Sequence, residues 1–470
     1  MLRREEGHQN ELEFISLEEL VPKDHLLRKI ESKIDFTFIY DKVEHLYKAE
    51  RGRPPIDPMR LFKMLLIGYL FGIRSERQLE REIQVNMAYR WFLGLGLRER
   101  VPDHSTISLN RTQRFAGKGV YQDIFEEIVM RAAKRGLIEG KTLYTDSTHL
   151  KANANKGKLR KELVEQSTRS YLDELDEAIE ADRKAHNKAP LPPQEQPPGK
   201  PKQKEIKVSM TDPESGYMAR EGKPEGFFYL DHRTVDGKHA LITDVHVTPG
   251  NVNDSVPYLA RLDYQRERFG FAAEAVGLDS GYDTVAICKG LEERGIYAAM
   301  PYKRPGGKKG MLKKTAFTYD EHYDCYLCPN GQVLKYKTTN RQGYREYHSD
   351  PSICAHCPLL KQCTESKKHL KTISRHVWEE HREAVQEHRY EDRGKGIYKR
   401  RKETVERSFA DAKQLHGHRY ARLRGLAGVS EQCLLAATAQ NIKKIALLLS
   451  RGFLWLQKGV YWPKYAPIRA

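Results

Sequence analysis

The chain has few aromatic residues and lacks a long hydrophobic run. Aromatic side chains make up 9% of its 470 residues. Its most apolar stretch, residues 61–73, contains Lys63 and is shorter than the roughly 20 residues that span a bilayer. The N-terminal sequence MLRREEGHQNE has no apolar core of the kind that a secretory signal requires. We therefore expect neither a membrane partner nor export.

Cysteine is scarce as well, while positive charge is abundant. Seven cysteines, four of them in two Cys-x-x-Cys pairs, favour a reducing compartment and metal binding over disulfides. The 81 Lys and Arg residues exceed the 64 Asp and Glu residues and give a net charge of +17. This surplus favours a polyanionic partner, because each phosphate that Lys or Arg neutralises releases condensed counterions. We expect a cytoplasmic protein associated with the nucleoid.

Residues 1–140 are predicted to form an all-α domain. Short helices with capping residues follow one another between Asp57 and Arg135, and one of them begins after Ser75. Arg111 and Arg114 lie on the later helices, an arrangement typical of helix-turn-helix DNA readers. An ordinary helical bundle with surface arginines would have the same pattern, so the sequence leaves both interpretations open.

After residue 140 the pattern changes to strands alternating with helices. Asp236-Gly237 between two alternating runs is a strong hairpin signal. The order β-β-β-α-β-α-β-α indicates an α/β fold with an RNase H-like mixed sheet. Predicted strands cover 141–146, 226–234, 239–247, 274–279 and 296–300, and predicted helices cover 254–268, 283–294, 398–414 and 429–450.

Two insertions interrupt this order. Residues 156–216 form a charged insert, predicted as helix to about Lys188 and as a Pro-rich linker over 189–204. Residues 304–395 form a basic insert that carries cysteines. The RNase H-like unit is accordingly expected at 141–303 and 396–452, followed by a C-terminal tail at 453–470.

Three carboxylates carry the candidate chemistry. Asp146 and Asp279 end two predicted strands, which places them at one sheet edge if the strands are neighbours, and Glu406 borders the buried stripe of a late helix. Carboxylates so placed suit two Mg²⁺ or Mn²⁺ ions, which activate the attacking oxygen and stabilise the leaving oxygen of a phosphodiester. Either Asp alone could equally cap a turn, and Glu406 could form a solvated pair with a lysine.

The motifs around these residues resemble those of DDE insertion-sequence transposases. The resemblance rests on TDSTH at 145–149, LDSGY at 278–282, VERSF at 405–409 with Lys413, and on RPPIDP at 53–58 and DHSTI at 103–107 in the N-terminal region. It implies that Asp146, Asp279 and Glu406 hold the metal ions and that Lys413 contacts the DNA end.

One departure concerns the residues before Glu406. The related spacing Tyr-x-x-Arg-x-x-x-Glu is not met, because Lys402 stands four residues before Glu406 and Tyr398 is displaced by one position. Arg401, Lys402 and Tyr398 are therefore all candidates for DNA contact, and the sequence does not choose among them.

The resemblance implies a metal-dependent DNA transposase. We expect Mg²⁺-dependent cleavage at transposon ends, followed by transfer of the 3′-hydroxyls into a target. The expected partners are double-stranded DNA, as terminal inverted repeats and as target, and a second copy of the chain in a homodimer on the DNA. Two alternatives stay open: a sequence-specific DNA-binding protein derived from a transposase, and a nuclease that cuts without rejoining.

The cysteine-bearing insert is predicted to bind zinc in a structural role. Cys325, Cys328, Cys354 and Cys357 form two Cys-x-x-Cys pairs, and four thiolates satisfy tetrahedral Zn²⁺. Cys363 permits a different choice of ligands, and unliganded thiols are the alternative.

Overall fold

The N-terminal region is helical, as the sequence predicts. The structure is a computed structural model that describes residues 14–47, 55–165, 172–192, 203–219, 225–302, 306 and 308–457. Arg53 and Pro54 of the first motif, most of the predicted linker and residues 458–470 of the predicted tail lie outside the described residues. The helices of this region are α1 (Leu17–Leu20), α2 (Leu26–Lys33), α3 (Phe38–Val43), α4 (Pro58–Leu70), α5 (Glu76–Val85), α6 (Met87–Leu93), α7 (His104–Leu109) and α8 (Val120–Lys134).

Side-chain caps fix where several of these helices begin. Asp57 accepts the backbone N–H of Arg60 at the start of α4, and Ser75 accepts that of Gln78 at the start of α5. Each bond satisfies a donor that the first helical turn leaves unpaired. Gly94 ends α6 in the left-handed region at φ 65°, a conformation that glycine adopts without steric cost.

Strands alternate with helices in the rest of the chain. The strands are β1 (Thr142–Lys151), β2 (Leu159–Glu165), β3 (Gln203–Ser209), β4 (Gly216–Met218), β5 (Gly226–Asp236), β6 (Ile242–Pro249), β7 (Ala275–Gly277), β8 (Tyr297–Ala299), β9 (Thr318–Asp320), β10 (Cys325–Leu327), β11 (Val333–Thr339), β12 (Tyr344–His348) and β13 (Thr372–His376). The helices are α9 (Leu172–Ala185), α10 (Tyr258–Phe269), α11 (Val285–Glu293), α12 (Pro351–Cys354), α13 (Leu360–Cys363), α14 (Glu379–Glu387), α15 (Asp392–Arg400), α16 (Val405–Leu415) and α17 (Leu426–Gln457).

The central sheet is mixed, as the sequence predicts. Its order is β4-β5-β1-β7-β8, with β6 also paired to β5. Strand β1 runs antiparallel to β5 and parallel to β7, and β7 runs parallel to β8. The predicted hairpin around Asp236-Gly237 is formed by β5 and β6, which pair antiparallel.

Three predicted elements differ from the structure. Strand β1 does not end at Asp146 but continues to Lys151, because β5 remains paired beside it. Residues 159–165 were predicted as helix and are strand β2, which pairs antiparallel with β3. An apolar residue at every fourth position, such as Leu159 and Leu163, fits one face of a strand as well as a helix, and pairing with a distant segment decides between them. The predicted helix 398–414 is broken by a turn at 401–404.

The two insertions pack against each other. Asp182 of α9 accepts hydrogen bonds from Arg345 of β12 (2.6 Å) and forms an ion pair with it. His186 lies 2.6 Å from the carboxylate of Asp324 and stacks on the ring of Tyr336. The second insert contains a five-stranded sheet of order β13-β12-β11-β10-β9. Helix α9 of the first insert contacts strand β11 of this sheet.

The hydrophobic core does not stop at the end of the N-terminal helices. One continuous cluster of buried residues includes Leu27 of α2, Phe125 of α8, Tyr144 of β1 and Ala436 of α17. Helix α17 packs against α8, α2 and α4 and also against β6. Within the described residues, none of the helices is long and apolar enough to cross a membrane.

Because the core is shared, a cavity in α17 should destabilise both the N-terminal helices and the central sheet. Leu435 of α17 is 3% exposed, so Leu435→Ala should lower the free energy of unfolding by about 2–5 kcal/mol, the usual cost of such a cavity. Hydrogen exchange should speed up both in α8 and in β6, because both pack on α17. Leu415→Ala is the control, since Leu415 is 48% exposed. Faster exchange in the sheet alone would contradict a shared core.

Candidate active site

The register between β1 and β7 brings two predicted carboxylates together. Tyr144 of β1 pairs with Gly277 of β7, and β7 ends there. Asp146 lies two residues beyond Tyr144, and Asp279 lies two residues beyond Gly277. Residues equally far along neighbouring parallel strands lie at the same level. The two aspartates therefore meet at the point where β1 loses its neighbour β7 while keeping β5.

Asp146 is a partly buried carboxylate with one cationic partner. Arg401, which is 2% exposed, donates to Asp146 Oδ2 at 2.7 Å, and the Ser147 N–H donates to Oδ1 at 2.8 Å. Burial raises the pKa of Asp146 to about 6, and the charges of Asp279 and Asp254 add to the increase while Arg401 opposes it. Asp146 therefore takes up a proton more readily than an ordinary aspartate despite its ion pair with Arg401.

Asp279 sits in a tight turn that glycine makes possible. The Gly281 N–H donates to Asp279 Oδ1 at 2.8 Å. A Cβ atom on residue 281 would lie 2.9 Å from Asp279 Oδ1 and 3.6 Å from Asp254 Oδ2. The first of these distances is too short for a carbon atom, so a side chain at residue 281 would displace the carboxylate. Gly281 thus lets the carboxylates of Asp279 and Asp254 approach.

Asp254 is a site residue that the sequence analysis missed. The predicted helix over 254–268 includes it, but α10 begins only at Tyr258, after Pro257. Strand β6 runs parallel to β1, because both are antiparallel to β5. Its carboxyl end therefore faces the same edge of the sheet as the end of β7. That topological signal, an acidic residue after the third strand, could have identified Asp254.

Glu406 lies in the first turn of α16, with its side chain exposed. Within the described part of the chain, its carboxylate makes no hydrogen bond or ion pair, and Asp146, Asp279 and Glu406 are not among the groups of three whose ligand atoms all lie within 4.8 Å. The turn at 401–404 precedes it, so Tyr398 lies on α15 and Lys402 in the turn, and neither shares a helix with Glu406.

Buried polar contacts hold α16 on the face of β1 and β5. Lys413 donates to Thr148 Oγ1 at 2.6 Å, and burial lowers the pKa of Lys413. Arg233 of β5, fully buried, forms an ion pair with Asp231 at 2.8 Å, and its guanidinium lies 4.9 Å from the centre of the Phe409 ring. Helix α16 is thereby positioned by charges that lie below it.

Of the other side chains predicted to contact DNA, two are exposed and two interact with neighbouring residues. Tyr398 is 40% exposed, and the side chain of Lys402 is also exposed. By contrast, Arg111 forms a 2.7 Å ion pair with Glu76, and Arg114 lies 4.2 Å from the centre of the Tyr47 ring. Contact of Arg111 or Arg114 with DNA would require these interactions to open.

The structure groups the cysteines of the second insert differently from the two predicted Cys-x-x-Cys pairs. Cys328, Cys354, Cys357 and Cys363 line one small cavity. Cys325 is buried in β10 and is not part of that lining. The structure thus gathers Cys363, and not Cys325, with the other three thiols. Cys288 and Cys433 are buried elsewhere in the chain, and Cys433 Sγ lies 3.9 Å from His418 Nε2.

Two family models match the chain. A transposase domain (DUF772) matches residues 15–113, and a transposase DDE domain matches residues 327–446. The second match includes Glu406, Lys413 and the cysteine-bearing insert, whereas Asp146 and Asp279 lie outside both matches. No curated protein matches the chain.

Among solved structures, the chain is similar to Mos1 transposase complexes. The Mos1 transposase paired-end complex with left transposon end is 12% identical with a TM-score of 0.17, and the match covers 54% of this chain and 61% of that chain. The pre-cleavage Mos1 transpososome is 10% identical with a TM-score of 0.17 and has the same coverage, 54% and 61%. This chain thus matches about three fifths of the length of the Mos1 chains. A likeness with so low a TM-score carries no argument about residue roles.

Both matched models describe transposase domains. The DUF772 match precedes the DDE match along the chain, and the predicted resemblance to DDE insertion-sequence transposases is confirmed.

The raised pKa of Asp146 predicts how stability depends on pH. The folded state binds this proton more tightly than the unfolded chain, so stability falls as the pH rises from the ordinary 3.8 towards about 6. Without metal at neutral pH, Asp146→Asn should therefore raise the free energy of unfolding by roughly 2–3 kcal/mol, and the gain should vanish at acidic pH. Denaturant unfolding across this pH range measures the difference.

Asp411→Asn is the matched control. Asp411 lies on α16 and pairs with the exposed Arg407 at 2.9 Å, so its replacement should change stability by less than about 1 kcal/mol. A gain for Asp146→Asn that persists at low pH would show that the charge of Asp146 is not its cause.

Proposed function

We propose that the protein is a DDE transposase whose RNase H-like unit cleaves DNA at the ends of its element and transfers the freed 3′-hydroxyls into target DNA. The observation that carries the proposal is the meeting of Asp146 and Asp279, with Asp254 beside them, where the parallel pairing of β1 and β7 ends. The strand order β6-β5-β1-β7-β8 supports the RNase H-like assignment, with residues 141–303 and 396–452 as the catalytic unit.

The donor set fits Mg²⁺ or Mn²⁺. Carboxylate oxygens are the hard ligands that these ions prefer, and the charges of Asp279 and Asp254 are near enough to raise the pKa of Asp146. A bound cation would neutralise the charge of the partly buried Asp146 together with the charges of Asp279 and Asp254. When bound, two such ions would activate the attacking oxygen and stabilise the leaving oxygen of the phosphodiester.

Glu406 is the proposed third ligand of the DDE triad. It lies on α16, which packs against β1, and its carboxylate has no competing partner among the described residues. A free side chain in the first helical turn can turn towards ions that Asp146 and Asp279 already hold. Asp254 would then tune the site by its charge.

The cations around the carboxylates are proposed to bind the DNA backbone. Arg401 forms an ion pair with Asp146, so a metal ion bound to Asp146 would release the Arg401 guanidinium. A guanidinium group suits bidentate contact with a phosphate. Lys413 is held above Thr148 in the same region and would contact the DNA end. Exposed Lys402 and Tyr398 extend this surface.

The net charge of +17 supports double-stranded DNA as the partner, both as terminal inverted repeats and as target. We propose that the N-terminal helices read the repeats and that the chain acts as a homodimer on DNA. Because these helices share their core with α17, their contribution is best measured in the full chain.

Amide variants test the triad. Asp279→Asn and Glu406→Gln each remove one anionic ligand and keep the shape of the side chain, so cleavage should fall by several orders of magnitude, as it does for residues that act as a unit. Asp254→Asn should cost about 10- to 100-fold, the range for residues that support a metal site. The assay is cleavage of a labelled duplex of the repeats that flank the gene, with Mg²⁺ or Mn²⁺, beside a gel shift.

Asp411→Asn controls for charge on α16 and should cleave like the wild type. DNA binding should survive in every variant, because removing a carboxylate lessens the repulsion of phosphate. Near-normal cleavage by Glu406→Gln would place the third ligand elsewhere, with Glu403 next to be tested. A duplex that already carries a free 3′-hydroxyl separates transposase from nuclease, since only a transposase would join it to target DNA.

A further inference from the structure

We propose that Cys328, Cys354, Cys357 and Cys363 bind one Zn²⁺ ion that holds the edge of the second insert together. The proposal does not depend on the transposase function, since the site lies in the separate sheet β9–β13. It replaces the ligand set suggested by the two Cys-x-x-Cys pairs, because it includes Cys363 and leaves out Cys325.

The four thiols come from separate short segments and meet at one cavity. Cys328 follows β10, Cys354 ends α12, Cys357 follows that helix, and Cys363 ends α13. The cavity they line has a volume of about 20 Å³, which is close to the space that one water-sized particle occupies. Much of the remaining lining is apolar, from Leu312, Phe317, Leu334, Ile353, Leu359 and Leu360. Sulfur atoms are therefore the principal ligands that a guest in this cavity would find.

Polar N–H groups already point at two of the sulfur atoms. The backbone N–H of Gln332 donates to Cys328 Sγ at 3.4 Å, and the side-chain amide of Asn330 donates to Cys357 Sγ at 3.6 Å. The turn that presents the first donor depends on Gly331 at φ +72°, a conformation that favours glycine. These two sulfur atoms are therefore already placed as hydrogen-bond acceptors, as the sulfur ligands of a metal ion commonly are.

The fifth cysteine is excluded by the register of β10. Cys325 pairs with Lys335 of β11 on one side and with Asp320 of β9 on the other. Cys325 is 7% exposed. Burial raises the pKa of its thiol, and the nearby charges that add to the increase are those of Asp320 and Asp324. Cys325 is thus part of the sheet, whereas Cys328 lies in the turn that follows it.

The sulfur atoms that line the cavity are farther apart than the ligands of a bound zinc ion would be. Among the described residues, no three of these sulfur atoms all lie within 4.8 Å of one another. Zinc–sulfur bonds of about 2.3 Å in a tetrahedron would bring them to about 3.8 Å apart. Zinc would therefore draw α12 and α13 towards the sheet. Neither of these helices has a buried residue, so metal binding would stabilise a region that has little core of its own.

The test uses full-length protein purified under reducing conditions. Wild type should contain about one zinc per chain, and X-ray absorption should show four sulfur neighbours at about 2.3 Å. The matched pair of variants is Cys363→Ser and Cys325→Ser. Zinc should be retained in Cys325→Ser and lost or bound far more weakly in Cys363→Ser.

A second measurement covers the case in which Cys363→Ser fails to fold. Wild type is alkylated with and without a chelator, and the modified cysteines are mapped by mass spectrometry. Cys363, Cys354 and Cys357 should react only after chelation. Zinc that is lost in Cys325→Ser and retained in Cys363→Ser would overturn the proposed ligand set. A wild type that holds no zinc, takes up no Co²⁺ and reacts equally with and without chelator would overturn the site.

Discussion

The site depends on β1 being hydrogen-bonded on both sides, but over different lengths. Strand β5 pairs with it from Leu143 to Lys151, while β7 pairs with it only as far as Tyr144. The sheet therefore keeps β1 rigid at Asp146 and at the same time opens a gap beside it. Asp279 turns into this gap, and Asp254 reaches it from the end of β6. A longer β7 would fill the gap, and a shorter β5 would leave Asp146 on a mobile end.

Charge is arranged in layers around that gap. The carboxylates lie at its mouth, Arg401 pairs with Asp146, and the Asp231–Arg233 pair lies below α16 with both side chains fully buried. Buried charges are costly unless they are paired and hydrogen-bonded. Here His418 also bonds Asp231 at 2.8 Å, so the pair specifies where α16 sits. The helix carrying Glu406 and Lys413 is thus held by polar contacts as well as by Phe409.

The N-terminal helices and the sheet share one hydrophobic core through α17. The region proposed to read DNA and the region proposed to cut it are therefore not independent bodies joined by a linker. The second insert forms a small core of its own around Tyr326, Leu334 and Tyr347, and the first insert contacts it through Asp182. A metal site in the insert would stabilise that part without touching the carboxylates.

The sequence by itself determined the elements and most of the site. Capping residues such as Asp57 and Ser75 act within one helical turn, and alternation around Asp236-Gly237 acts within one hairpin, so both are visible locally. Asp146 and Asp279 are candidates from the sequence because each follows a short run of apolar residues. Only the tertiary structure decided the rest, because register, turns and docking depend on distant segments. Pairing with β3 makes residues 159–165 a strand, and the turn at 401–404 places Glu406 at the start of a separate helix. The direction of β6 brings Asp254 to the site. The pairing of β10 keeps Cys325 in the sheet, away from the cavity that Cys363 lines.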